Sequence, residues 1–469
     1  MLTIRAHGGH LCDGIQRRTM LQAGGLGALG LGLSQLSAVA AAGTEGRLER
    51  TSSGRAKSCI VLFLLGGSPQ HSTFDPKPDA PAEVRGSFGP VATNVPGTQF
   101  CELLPNLTRQ ADRLAVIRSV STRDNAHSSS GYYVMTGRPH VPQNVENANP
   151  GAPNDFPFVG AVVQKLRPHL ADLPTSVRLP NRIFNTDGSV WPGQDAGFLG
   201  KTADPWLFNC QPATKGFRVE EVTLPVDIPH DRLERRGSLL HDVNLAFDTA
   251  RDSSMLGRYS VAAQRAFNVL ASSRSRQAFD LESESMERRL AYGMSQFGQS
   301  ALLARRLIEA GVGLVQVNWF RGPDEPTDNP CWDSHTQENH RLKDVLCPAF
   351  DQGFAALLDD LADRGMLDET LVCCLTEFGR TPRFNARGGR DHWGSVFSVA
   401  MAGGGIKGGT VYGSSDAQGA FPAANLCRPE DITATIFHCL GIAPETELHD
   451  PQGRPFQISP GQILHDILA

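Results

Sequence analysis

Histidines and carboxylates stand a few residues behind the apolar runs of this chain. His71 and Asp75 follow one run, His127 a second, Asp333 and His335 a third, and Glu377, Asp391 and His392 a fourth. Imidazole and carboxylate donors gathered from several segments suit a divalent metal, whereas thiolate sites need clustered cysteines. The chain has ten cysteines and no C-x-x-C pair. Singly, a His or Asp in such a position is more often a cap or a hydrogen-bonded loop residue. Several segments delivering the same donor types point instead to one or two bound divalent ions, with Zn, Mn, Fe and Ca as the candidates.

These donors need a scaffold that carries them to one place. Ser58-Cys59-Ile60-Val61-Leu62-Phe63-Leu64-Leu65 is a continuous apolar run closed by Gly66-Gly67, the pattern of a strand buried on both faces of a parallel sheet. Similar runs span 114–120, 312–319, 370–376 and 396–402. Helices are expected over 295–310 and 346–364. In the second, Phe350, Phe354, Leu357, Leu358 and Leu361 recur at helical spacing and Gly365 closes the helix. Strand, helix and strand in this order predict an α/β fold, with helices on both faces of a mostly parallel sheet. In such sheets ligands bind beyond the carboxyl ends of the strands, where the histidines and acids stand.

Residues 139–156 and 180–230 are rich in Pro, Asn and Gly and read as long surface loops, either walls of a substrate site or plain insertions. Residues 231–290 read as an inserted helical cap, and the glycines at 403–405 and 408–409 as a hairpin turn. An amphipathic helix is expected over 431–440.

The N-terminus has its own logic. Arg17-Arg18-Thr19-Met20-Leu21-Gln22 leads into a glycine-softened apolar stretch and then Ala38-Val39-Ala40-Ala41-Ala42. This is the pattern of a twin-arginine signal peptide over residues 1–42, followed by a polar linker over 43–57. It predicts a periplasmic or other extracytoplasmic protein, exported folded and without a stable membrane anchor after cleavage. Removing residues 1–42 takes away three arginines and Asp13, so the formal charge moves from −5 to −7. An acidic chain with no basic tract excludes nucleic acid as a partner. Nine cysteines remain after cleavage, an odd number that forbids complete pairing within one chain.

Several strings resemble one bacterial family closely. They are Gly-Gly-Ser-Pro-Gln-His-Ser-Thr-Phe-Asp-Pro-Lys-Pro (66–78), Trp-Asp-Ser-His (332–335), Thr-Glu-Phe-Gly-Arg-Thr-Pro (376–382), Gly-Arg-Asp-His-Trp (389–393) and Met-Ala-Gly-Gly-Gly-Ile-Lys-Gly-Gly (401–409). From Ser58 to the end the chain is similar to the domain-of-unknown-function 1501 family, which is grouped with alkaline phosphatases and sulfatases. The resemblance implies an α/β/α sandwich and a metal hydrolase site for one or two ions. It implies that Asp333, His335, Glu377 and His392 occupy metal-ligand positions. Asp391 is either a ligand or the partner that orients His392.

The chain also departs from the superfamily pattern. Gly66-Gly67 stands where an Asp usually follows the first strand, leaving His71 or Asp75 as substitutes, and Phe378 replaces a ligand His. Counting back from Thr136-Gly137-Arg138 puts His127 where sulfatases carry the cysteine that becomes formylglycine, so ordinary sulfatase chemistry is not expected. His127 is read as a ligand in preference to a nucleophile. Ser128 or Ser129, opening the next helix, could attack as the nucleophile or merely cap the helix. Arg138 or Arg380 would hold the anion.

The expected function is an exported metal-dependent hydrolase of phosphate or sulfate esters, acting on a small-molecule or polysaccharide substrate. The alternatives are a non-catalytic metal-binding or envelope-complex protein that retains the fold, and a metal-dependent phosphomutase or transferase.

Overall fold

In β1 (Ser58–Phe63) all six side chains are buried. Ile60 and Leu62 enter one core while Cys59, Val61 and Phe63 enter another, because successive residues of a strand point to opposite faces. The continuous apolar run is therefore the signature of a strand with helices on both sides. The computed structural model describes residues 54–167, 173–185, 187–219, 272–321 and 330–469, with isolated positions between 232 and 270. The expected signal peptide, most of the expected linker and most of the expected helical cap lie outside the described residues.

The strands β2 (Leu114–Val120), β3 (Ser176–Leu179), β4 (Trp206–Leu207), β5 (Leu314–Asn318), β6 (Thr370–Leu375), β7 (Phe397–Ala402) and β8 (Thr410–Tyr412) complete one sheet. Its order is β8-β2-β7-β6-β1-β5-β3-β4. All neighbours pair in parallel except β7, which is antiparallel to both β2 and β6. This exception matters for the chemistry. A reversed strand begins at the edge where the others end, so the segment just before β7 arrives at the same edge as the segments that follow β1, β5 and β6.

Helices α1 (His127–Thr136), α2 (Val159–Leu166) and α7 (Pro429–Cys439) pack on the face of Cys59 and Val61. The other face is covered by α5 (Gln296–Glu309) and α6 (Cys347–Asp363). The layers are α/β/α. The described end of the expected cap consists of α3 (Ser273–Phe279) and α4 (Met286–Ala291), which pack on α5 and α6. The nine cysteines from Cys59 onward are all free thiols. Among the described residues no helix is long and apolar enough to cross a membrane.

Sequence periodicity placed β1, β2, β5, β6 and β7 within two residues at each end. It missed β3, β4 and β8, which are two to four residues long and too short to show a period. The glycine cluster is not a hairpin. It carries the chain from β7 to β8 past the start of β2, so that β8 pairs with β2 instead of β7. A Cβ at Gly408 would lie 2.1 Å from the Asp112 carbonyl oxygen, which is why a glycine stands at this crossing.

Candidate metal centre

His335 and His392 meet head to head. Their Nε2 atoms are 2.9 Å apart, and Asp333 Oδ1 lies 3.0 Å from the first and 3.1 Å from the second. Three segments build this triangle. Trp332, wholly buried, donates its backbone N–H to Leu65 O and so fastens Asp333 to the loop behind β1. His335 follows two residues later. His392 opens a two-residue strand that pairs with Gly379–Arg380 behind β6.

The proton positions follow from the partners. Nδ1 of His335 lies 2.8 Å from Asp391 Oδ1, and Nδ1 of His392 lies 2.7 Å from Asn125 O. A carboxylate and a carbonyl oxygen only accept, so both Nδ1 atoms donate and a neutral ring keeps its lone pair on Nε2. Burial, followed by the charges on His127 and Arg380, pushes the His392 pKa down to about 4, keeping that ring neutral. With both rings neutral, two imidazole lone pairs and a carboxylate oxygen face one another. Donors held about 3 Å apart match neighbouring ligands around a cation lying ~2.1 Å from each. This donor set fits a divalent metal. Two imidazoles with one carboxylate favour Zn, Mn or Fe over the oxygen-seeking Ca.

Asp333 is held from the other side as well. Arg380 Nη2 donates to Oδ1 at 2.5 Å, and His127 Nε2 lies 3.3 Å from Oδ2. Burial alone would raise the Asp333 pKa, but the positive charges of Arg380 and His127 hold it far below the usual carboxylate range. His127 opens α1, and its Nδ1 donates to Glu377 Oε1 at 2.8 Å. Burial opposes a charge on His127, yet Asp333 and Glu377 outweigh it and raise its pKa to about 10.

A second donor group is formed by His127, Glu146 and His392. It is the weaker of the two, because His392 Nδ1 is committed to Asn125 O and Glu146 Oε1 accepts the His127 backbone N–H at 2.9 Å. Glu146 lies in the Pro/Asn-rich stretch read from sequence as a surface loop. A single Glu in such a stretch carries no signal that distinguishes it from a solvated one.

Of the residues expected at the site, the structure brings together His127, Asp333, His335, Glu377, Asp391 and His392. Their roles differ from the expectation in three cases: His127, expected as a ligand, is protonated and held between Asp333 and Glu377, and the other two are Glu377 and Asp391. Glu377 is fully buried and accepts from His127 Nδ1 and from the Gly66 N–H, so it orients His127 from behind. Asp391 orients His335 instead of His392. The missing Asp after β1 also has a local reason. Gly66 takes φ 113°, and a Cβ there would lie 2.4 Å from the Asp333 backbone nitrogen.

The other expected residues are engaged elsewhere. Asp75 pairs with Lys77 at 3.0 Å and Arg118 at 3.6 Å, and also accepts from Ser415. Ser128 is buried, donates to Val145 O at 3.0 Å and accepts from the Ala148 N–H at 2.9 Å, which fastens a loop and leaves no poised nucleophile. Ser129 is likewise bonded to Asp124. Arg138 reaches Gln457 O and stacks on Phe156. Arg380 does join the centre, but buried. Its guanidinium is spent on the carbonyls of Gly66, Gly67, Trp332 and Arg390 and on Asp333, so it braces the loops and cannot also hold a substrate anion.

His71 also lies apart, with Nε2 donating to Gln418 O at 2.8 Å. Burial, then the charge of Arg390, lowers its pKa to about 3, from an ordinary value of 6.5. The unfolded chain therefore binds this proton first as the pH falls. The stability contribution of neutral His71 is complete above pH ~6.5 and is lost progressively toward pH ~3. His71→Gln is expected to flatten this part of the acid limb. Urea midpoints measured across the window give the result, and an unchanged slope would count against the assignment.

The family model described as Protein of unknown function (DUF1501) matches residues 56–468. A search of curated proteins returned no match. Among solved structures, the phosphonate monoester hydrolase SpPMH from Silicibacter pomeroyi is 13% identical with TM-score 0.41, covering 88% of this chain and 76% of its own. Ps i-CgsB is 11% identical with TM-score 0.42, covering 87% and 75%. The PsFucS1 sulfatase from Pseudoalteromonas sp. is 12% identical with TM-score 0.37, covering 83% and 69%.

Proposed function

This chain belongs to the DUF1501 family, and from that premise we propose that it is an exported, metal-dependent hydrolase of phosphate or sulfate esters. The observation that carries the reading is the triangle of Asp333 Oδ1, His335 Nε2 and His392 Nε2, three acceptors that face one another at hydrogen-bond distance. A divalent cation bound there supplies Lewis-acid charge for an ester oxygen and for the attacking group. The chain's own residues set the geometry. Asp391 and the Asn125 carbonyl fix the two imidazole tautomers, Arg380 holds Asp333 ionised, and Glu377 turns His127 toward Asp333. His127, held protonated beside Asp333 and Glu377, can donate a proton or a hydrogen bond from Nε2 to a group entering the cleft.

Elemental analysis of the purified full chain, with turnover of a panel of phosphate, sulfate and phosphonate esters, tests the proposal. The expected result is a transition metal close to one per chain and turnover of at least one ester class. A metal-free protein that stays inert after incubation with Zn, Mn or Fe would overturn it. The second reading, a metal-binding protein without turnover, is favoured by the commitment of both Ser128 and Ser129 to other partners. Bound metal with no turnover of any ester selects that reading.

The proposed domain organisation is a signal peptide over 1–42, a linker over 43–57 and one hydrolase-like domain from 58 to the end. Replacing Arg17 and Arg18 together by lysine is expected to leave the protein in the cytoplasm. Unchanged recovery from the periplasm removes the twin-arginine part of the proposal.

A further inference from the structure

A cleft reaches the metal centre at Asp333, and its walls differ in chemistry. Asp333, His127 and Glu146 line it with charged and imidazole groups. Phe184, Trp191 and Arg321 line it as well. Phe184 is 46% exposed, whereas Trp191 is only 3% exposed and packs toward the His127 ring at 6.1 Å between centroids. A ring left half in water beside such a cleft offers a flat apolar face to an entering ring. Arg321 makes no hydrogen bond or ion pair among the described residues, while Arg380 and Arg138 are both committed.

We propose that this cleft selects anions whose organic part carries a ring with a flat apolar face, an aryl group or a pyranose, covered by Phe184 while Arg321 pairs with the anionic group. The inference rests on the ester-hydrolase reading and adds to it the class of substrate. An entering ring displaces water from the exposed phenyl face and gains the contact of two stacked faces, worth about tenfold or more in affinity. The anion is met by Arg321 and, once the centre holds its metal, by that positive charge as well. Phe184 thus determines specificity for the organic part, and Arg321 binds any anion irrespective of what it carries.

The test is calorimetric titration of the metal-loaded full chain with two pairs of non-hydrolysable probes. One pair is phenylphosphonate against methylphosphonate, and the other is 6-deoxy-6-sulfoglucose against ethanesulfonate. At least one ring-bearing member is expected to bind about tenfold tighter than its partner, and the pair that does so identifies the ring as aryl or pyranose. In Phe184→Ala this ratio falls toward one. In Arg321→Gln both members weaken by a similar factor and the ratio persists. Equal affinities within both pairs, no binding by any probe, a ratio that survives Phe184→Ala, or affinities untouched by Arg321→Gln each overturn the proposal. Because binding is read without turnover, ring selection in a protein that hydrolyses no ester supports the cleft and sinks only the enzymatic reading. Turnover without ring selection does the reverse.

Discussion

His392→Ala is expected to empty the metal centre and to lower turnover of any ester substrate by well over ~100-fold. Loss of an outer partner of a metal ligand costs ~10–100-fold in affinity or activity, and His392 is a proposed ligand itself. Its ring contributes one of three acceptors spaced 2.9–3.1 Å apart, and it stacks on Phe378 with centroids 4.6 Å apart. Removing it leaves Asp333 and His335, a pair too few to retain a transition metal against buffer. Metal content after gel filtration is the primary readout, with circular dichroism to show that the fold survives. His335→Ala is expected to behave alike, whereas His71→Gln should keep its metal, because His71 lies against Gln418 and outside the cluster. Full metal content in His392→Ala would place the ion elsewhere.

The second large effect is on stability. Arg380 is wholly buried and ties together the loops behind β1, β5 and β6 through four carbonyl oxygens and Asp333. Arg380→Met removes one partner of a buried charged pair and strands those carbonyls, a change that costs ~3–5 kcal/mol. Arg380→Lys is expected to recover little of it, since one ammonium cannot reach the directions that the planar fork serves. Urea unfolding gives the comparison. A loss below ~1 kcal/mol would mean that water replaces the guanidinium and that the loops do not depend on it.

Arg380 also shows where reading the sequence succeeded and where it failed. Its string behind β6 was recognisable as belonging to the site, but its role was assigned to substrate. Arginine serves an anion and a set of carbonyls with the same N–H groups, so residue type alone cannot separate the two uses. Ser128 failed in the same way, since a hydroxyl at the start of a helix caps, bridges or attacks according to neighbours remote in sequence. Glu146 was invisible because its partner is the backbone N–H of His127, a contact made only when its loop folds back. Asp333, His335 and His392 were legible because apolar runs buried on both faces announce parallel strands, and the fold fixes the edge at which such strands end.

By itself, then, the sequence determined the layered α/β scaffold and the kinds of donor carried to one edge of the sheet. Tertiary structure decided which of those donors converge, and which nitrogen of each ring is bare. His71 and Asp75 belong to the same motif as the loop behind β1, yet Gln418, Lys77 and Arg118 hold them away. The reversed direction of β7 brings in His392, and Asn125 and Asp391 turn the lone pairs of the two imidazoles inward. The physical reason is range. Periodicity and strand burial are written within a few residues, whereas a tautomer is set by a hydrogen bond to a residue 56 positions away, for His335, or 267, for His392.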